Sequence, residues 1–296
     1  MSNILTLVGP TGSLTGLVWE RICGAVSSHA EPIGPPDWLA NETACDWPVA
    51  AVDEGALRAA LDPLRVDVAM QRAGGRRRKA VLIADMDSTI VQGETLDELA
   101  GEAGIKDRIA AITTRAMRGE LDFAEALTER VAALEGLDAA ALDRTLAQTR
   151  VMPGAAALVA AMRANGAVCW LVSGGFTFFT GAVAERLGFS YSQGNTLEIA
   201  DGKLTGRVVP PILDRDAKLA ALGRAAAEAG VGADAVLAVG DGANDLAMIQ
   251  AAGMGVAFQA KPAVREAARF QVNHADLRAL LYFQGYRAGE IVLAAG

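Results

Sequence analysis

The stretch V-L-I-A-D-M-D-S-T-I, residues 81–90, runs four apolar residues straight into two aspartates one residue apart, then a serine and a threonine. A short apolar run bounded by polar residues reads as a strand buried on both faces, the kind found in parallel sheets covered by helices. Three more runs of that texture follow at residues 168–172 (V-C-W-L-V), 236–239 (V-L-A-V) and 255–258 (G-V-A-F), separated by Ala-rich helical stretches. The alternation predicts an α/β core. In T-L-E-I-A-D-G-K-L-T-G-R-V-V, Asp201-Gly202 between two alternating runs predicts a β-hairpin on the sheet edge.

About eighty residues separate the first two strands, far more than a βαβ crossover requires. Within them L-D-E-L-A, I-A-A-I-T-T-R-A-M and F-A-E-A-L-T-E-R-V-A-A-L place apolar residues three and four apart, so a small helical cap is expected at about residues 95–150. The first eighty residues hold Trp19, Trp38 and Trp47 and a Pro-rich E-P-I-G-P-P, the texture of a small α+β domain. They end in R-A-G-G-R-R-R-K, residues 72–79, which reads as a solvated linker. The expected division is 1–76 and 77–296.

With 296 residues, roughly half of them apolar, the chain can bury a sizeable core. Its formal charge of -8 argues against a nucleic-acid or anionic-membrane surface. No apolar run reaches the ~18 residues of a membrane helix, and the N-terminus lacks the pattern of a signal peptide, so a cytoplasmic protein is expected. The three cysteines, Cys23, Cys45 and Cys169, sit at unrelated spacings and fit neither a disulfide framework nor a zinc site. His29 and His274 stand in unrelated contexts, and neither is assigned to catalysis.

Ligands in open parallel α/β sheets bind outside the carboxyl ends of the strands. The first strand ends in Asp85-Met86-Asp87-Ser88-Thr89, the second in Ser173-Gly174-Gly175, the third in Gly240-Asp241-Gly242-Ala243-Asn244-Asp245. Each alone fits an ordinary helix cap or tight turn. Together they bring carboxylates, a hydroxyl and Gly-flanked N–H groups to one edge, chemistry suited to a hard cation and a phosphate. Asp85 and Asp241, with a main-chain carbonyl near Asp87, supply oxygen ligands of the kind Mg²⁺ takes. Ser173, Gly174 and Gly175 are expected to open a helix whose positive end favours an anion.

D-M-D-S-T, S-G-G, Lys218 and G-D-G-A-N-D resemble the four ordered motifs of the haloacid dehalogenase superfamily. Over residues 80–290, V-S-G-G-F-T-F-F, M-R-G-E-L-D-F-A-E-A-L-T-E-R-V and G-D-G-A-N-D-L-A-M are more narrowly similar to the phosphoserine phosphatases. The resemblance implies a Rossmann-like core, a helical cap and Mg²⁺-dependent hydrolysis of phosphoserine, the last step of serine biosynthesis. It makes Asp85 the nucleophile that forms an aspartyl-phosphate, Asp87 the general acid and base, and Lys218 the cation against phosphate and Asp85. Asn244 and Asp245 would complete the phosphate and metal surroundings. On the cap side Glu94 would take the substrate ammonium and Arg130 its carboxylate, with Met117 and Phe123 as pocket walls. The N-terminal domain resembles ACT-like regulatory domains but lacks their amino-acid-binding residues, which leaves dimerisation as its milder reading. A phosphotransferase passing phosphoryl to an alcohol such as homoserine, a phosphatase of another small phosphomonoester, and a catalytically dead binding protein are the alternatives. The intact pair Asp85 and Asp87 speaks against the last.

Overall fold

The computed structural model describes residues 2–291, apart from the side chain of Met117. Residues up to Arg72 form one sheet with two helices: β1 (Asn3–Val8), α1 (Gly16–His29), β2 (Ala30–Pro32), β3 (Asp37–Ala40), β4 (Ala44–Val52), α2 (Glu54–Leu61) and β5 (Asp67–Arg72). The sheet is antiparallel in the order β2-β4-β1-β5, with β3 also paired to β4. Alternation along β1 sends Leu5 and Leu7 into a core with Ile22, Val26, Leu57 and Leu61 of the helices. Trp19 stacks on Trp47 there at 5.8 Å between ring centroids.

The rest of the chain builds the second sheet. After β6 (Val81–Ala84) come α3 (Thr95–Glu102), α4 (Lys106–Met117), α5 (Phe123–Ala132), α6 (Ala140–Gln148) and α7 (Ala155–Ala164). Then follow β7 (Val168–Phe176), α8 (Thr177–Leu187), β8 (Tyr191–Ala200), β9 (Lys203–Val209), α9 (Arg215–Glu228) and β10 (Val236–Gly240). The chain closes with α10 (Leu246–Ala251), β11 (Met254–Phe258), α11 (Pro262–Ala267), β12 (Phe270–Val272) and α12 (Ala279–Phe283). The seven strands run β12-β11-β10-β6-β7-β8-β9, all parallel except the edge strand β9, which returns from β8 through Asp201-Gly202. Both turn residues have positive φ, 50° and 74°, as a tight hairpin of right-twisted strands requires.

β6 therefore stands between β10 and β7, fully buried on both faces as its apolar run predicts. The helices α3 to α6 leave and rejoin the sheet through two adjacent segments: Val91 bridges Val151, Gln92 N–H donates to the Arg150 carbonyl, and Met152 N–H to that of Ile90. On its far side this helical layer rests on the hairpin, where α5 packs against β9.

Two expectations need correction. Ser173, Gly174 and Gly175 do not open a helix; they continue β7 as an irregular end, and α8 starts only at Thr177. Nor is the arginine run solvated throughout: Arg72, Gly74, Gly75 and Arg76 are exposed, as expected of a linker, but the part from Arg77 onward is docked. Arg77 forks onto Asp46, bonds Thr6 Oγ1 at 3.0 Å and donates to the carbonyls of Tyr282 and Phe283, each at 3.2 Å. Sequence alone carries no sign of those partners, which come from strands and a helix distant along the chain. No helix among the described residues is long and apolar enough to cross a membrane. Cys45 and Cys169 are buried and Cys23 half-buried, all three as free thiols.

Candidate active site

β6 reaches the sheet edge and stops because Asp85 and the following turn replace apolar side chains by polar ones. Met86 turns back into the core while its carbonyl accepts N–H bonds from Ile90 and Val91, and Ser88 takes φ 54°. That tight turn leaves Asp85 and Asp87 facing the same opening. The cavity there, about 220 Å³, is lined by Asp85, Asp87, Glu94, Phe123, Arg130, Ser173, Gly174, Gly175, Asp241, Asn244 and Lys261, among others.

Lys218 arrives from the first turns of α9, whose N-cap Asp214 accepts N–H bonds from Asp216 and Ala217. Its ammonium lies 2.6 Å from Asp85 Oδ1 and 2.6 Å from Asp245 Oδ1, and only 2% of the residue is exposed. Burial alone would lower the Lys218 pKa; the two carboxylates outweigh it and hold the ammonium above its ordinary value. The Asp85 pKa is pushed up as well, by burial and by Asp245, against the pull of Lys218. Burial, with Asp245 beside it, also raises Asp241. Oxygens of Asp85, Asp241 and Asp245 lie within 4.8 Å of one another. This hard oxygen cluster carries more negative charge than one ammonium neutralises, and it fits a divalent cation such as Mg²⁺. The Asp87 carboxylate is not in that cluster.

Asp87 instead accepts from Thr95 N–H at 2.9 Å, capping α3 from eight residues upstream, and from Ser173 Oγ at 3.1 Å. Burial still lifts its pKa above the ordinary carboxylate range, against those hydrogen bonds. Ser173 Oγ in turn accepts Gly175 N–H at 2.8 Å. Glycine at 175 is a matter of space: a Cβ there would lie 2.9 Å from Asp87 Oδ2 and 3.0 Å from Ser173 Oγ.

The helical layer closes the mouth. Glu94 precedes α3 and accepts from Ser88 Oγ at 2.8 Å; burial of its carboxyl, then the nearby Asp87 and Asp241 charges, push its pKa up to about 7. α5 is fixed by a reciprocal cap between Asp122 and Glu125, and carries Phe123 and Arg130 inward from its two ends. Arg130 bonds the Ala126 carbonyl through Nε at 3.2 Å, and Glu129 pairs with Arg115 instead, so among the described residues the Arg130 guanidinium has no carboxylate partner. Burial lowers its pKa, with Asp97 and Glu94 opposing. The side chain of Met117 lies outside the described residues.

Two residues escape a reading of the sequence. Asn195, 1% exposed on β8, donates to the Gly174 carbonyl at 2.8 Å and accepts Leu213 N–H at 2.7 Å, tying the end of β7 to the approach of α9. Lys261 follows β11; its N–H donates to the Asp241 carbonyl at 3.1 Å, and it lines the cavity.

The family model of the haloacid dehalogenase-like hydrolases matches residues 82–250. A phosphoserine phosphatase of Streptomyces coelicolor is 47% identical over 257 residues, 85% of this chain and 63% of that protein. One from Streptococcus thermophilus is 46% identical over 199 residues, 67% of this chain and 93% of its own length. Among solved structures, a HAD family hydrolase from Salmonella enterica serovar Typhi superposes with a TM-score of 0.85 at 28% identity, covering 99% of each chain. The chain spans under two thirds of the length of several curated relatives, the Streptomyces protein among them. The matched residues make up more than half of the chain and include the three strands whose ends build the cavity, and the chain therefore belongs to the haloacid dehalogenase-like hydrolases.

Proposed function

We propose that the chain hydrolyses O-phospho-L-serine to L-serine and phosphate through an aspartyl-phosphate on Asp85. The observation that carries the reading is the meeting, in one cavity, of a lysine-paired aspartate, a second aspartate two residues on, and a separate Glu94 and Arg130. Lys218 occupies Asp85 Oδ1 and leaves Oδ2 to attack phosphorus in line. Asp87, with its pKa raised, protonates the departing serine oxygen, and its carboxylate then takes the proton of the water that cleaves the acyl phosphate. Ser173, the Gly174 N–H and Asn244 receive the phosphate oxygens, joined by the Gly175 N–H once it turns from Ser173 Oγ; Lys218 balances their charge. Mg²⁺ held by Asp85, Asp241, Asp245 and the Asp87 carbonyl would neutralise phosphate charge at this acidic mouth. Glu94 faces the substrate ammonium and Arg130 its carboxylate, against the wall formed by Phe123 and Met117.

Phosphate release from L-phosphoserine should require Mg²⁺, stop in EDTA, and fall by roughly 10⁴-fold or more in Asp85→Asn. Phosphothreonine, sugar phosphates and nucleotides should be poorer substrates. Preference for another ester would leave the core chemistry and remove the roles of Glu94 and Arg130.

We further propose that the N-terminal unit, residues 1–76, is an ACT-like module through which two copies associate. Support comes from its uncovered apolar side chains, Leu17 at 76% and Ile33 at 57% exposed. Sedimentation should report a dimer that Leu17→Lys or Ile33→Lys converts to monomer; a monomeric parent would exclude it.

A further inference from the structure

The arginine run between the two sheets contributes to a second concavity, far from the chemistry. A cavity of about 360 Å³ is lined by Gln71 and Arg72 from the end of β5, by Gly75, Arg76 and Arg77, and by Gly253, Arg269 and Phe270. Gly253 and Arg269 stand just before β11 and β12, at the amino ends of the strands, whereas the active-site cavity opens at their carboxyl ends. The two sites are separated by the length of the strands.

Its charge is unbalanced. Arg77 spends its guanidinium on Asp46, Thr6 and two carbonyls. Arg72, Arg76 and Arg269 make no ion pair among the described residues; Arg269 lies over the Phe270 ring at 5.1 Å from its centroid, which orients it along the wall. Lys79 beside them donates to the carbonyls of Asp234 and Arg76 rather than to a carboxylate. Burial first, and then the Arg76 and Arg269 charges working against Asp234, lower the Lys79 pKa, as expected where cations crowd. Three exposed guanidinium groups without a carboxylate partner among the described residues line one groove of a chain whose net charge is -8, a local concentration of positive charge open to an anion.

We propose that this groove is a second anion site, taking a chain of two or three phosphoryl groups, either inorganic polyphosphate or the phosphate tail of a nucleotide. Guanidinium forks match phosphate oxygens two at a time, and three of them suit a linear polyphosphate better than a single orthophosphate. An extended nucleic acid is disfavoured by the acidic remainder of the surface. Because the lining comes from the N-terminal unit, the connecting run and the second sheet, a bound ligand bridges all three and stabilises their junction.

The test is calorimetric titration of the full chain in EDTA with tripolyphosphate, with orthophosphate and ATP as separate arms. Tripolyphosphate should bind one per chain, more weakly as NaCl rises, and raise the melting temperature; orthophosphate should bind at least about tenfold more weakly. Tighter binding of ATP identifies a nucleotide as the source, equal binding the inorganic chain. The double variant Arg76→Gln, Arg269→Gln should lose at least about tenfold in affinity, each charge-assisted contact being worth about that much. Arg72→Gln, made separately, should weaken binding in the same direction and serves if the double variant melts early. Absence of binding to the parent, or unchanged affinity in a folded double variant, overturns the site. Neither result bears on phosphoserine hydrolysis, which is read independently.

Discussion

Glu94 holds a carboxyl whose environment disfavours its ionised form, and this has a direct kinetic signature. With its pKa pushed up to about 7 by burial and by Asp87 and Asp241, it is half protonated near neutrality. Only the ionised form can pair with a substrate ammonium, so KM for phosphoserine should fall as pH rises from about 6 to about 8. Glu94→Gln should raise KM by about tenfold and lose that limb of the profile. A profile unchanged by the substitution would show that another group titrates. Asp85, Asp87 and Asp241 were legible in the sequence because they stand with Ser173 at the ends of three separate apolar strands; each alone would fit a cap or a turn, and only the combination points to chemistry. Asn195 was not, since its partners, the Gly174 carbonyl and the Leu213 N–H, lie 21 and 18 residues away and leave no local pattern. Lys261 was hidden by its neighbour: Lys-Pro before a helix reads as an ordinary cap, with Pro262 at the first helical position.

At the level of elements, the end of β7 matters most. Its register shift between Val172 and Phe176 delays α8 and lays Ser173 and two glycines flat along the cavity wall. Gly174 approaches Phe123 so closely that a Cβ would lie 3.0 Å from the ring. Gly175→Ala would press on both Asp87 and Ser173, and kcat should drop by about 100-fold with little change in melting temperature, a misplaced proton donor costing far more in rate than in stability. Normal turnover in a folded Gly175→Ala would separate Asp87 from the proton transfer. The strand was readable from V-C-W-L-V; its irregular extension was not, because Ser-Gly-Gly after a strand equally suits a helix start. The short β12 was missed for a related reason: at three residues it is too brief for any periodicity to appear.

On the scale of the whole molecule, the N-terminal sheet is bonded to the second one rather than tethered to it. Asp67, 3% exposed, accepts N–H bonds from Asn273, His274 and Ala275, while His274 meets Asp62 and Gln71 donates to the Phe283 carbonyl. Val8, Leu39, Ala44 and Ala69 share an apolar cluster with Leu277, Tyr282 and Phe283. Asp67→Ala would strand three donors, that of Ala275 buried and those of Asn273 and His274 part-buried, and should cost about 3 kcal/mol in a urea melt; an unchanged midpoint would mean that the apolar contacts alone hold the junction. None of this clamp was legible, since Asp67 reads as one more polar residue at a strand start. The docking also has a consequence for solubility. β9 closes one side of the seven-stranded sheet by turning back antiparallel, and β5 lies against β12 on the other. Exposed outer strands are templates for stacking one chain on the next. Here the amino-terminal unit acts as a bumper on the short strand that would otherwise be left open, so a core cut free near residue 76 would have to find a substitute for it or recruit its own copies.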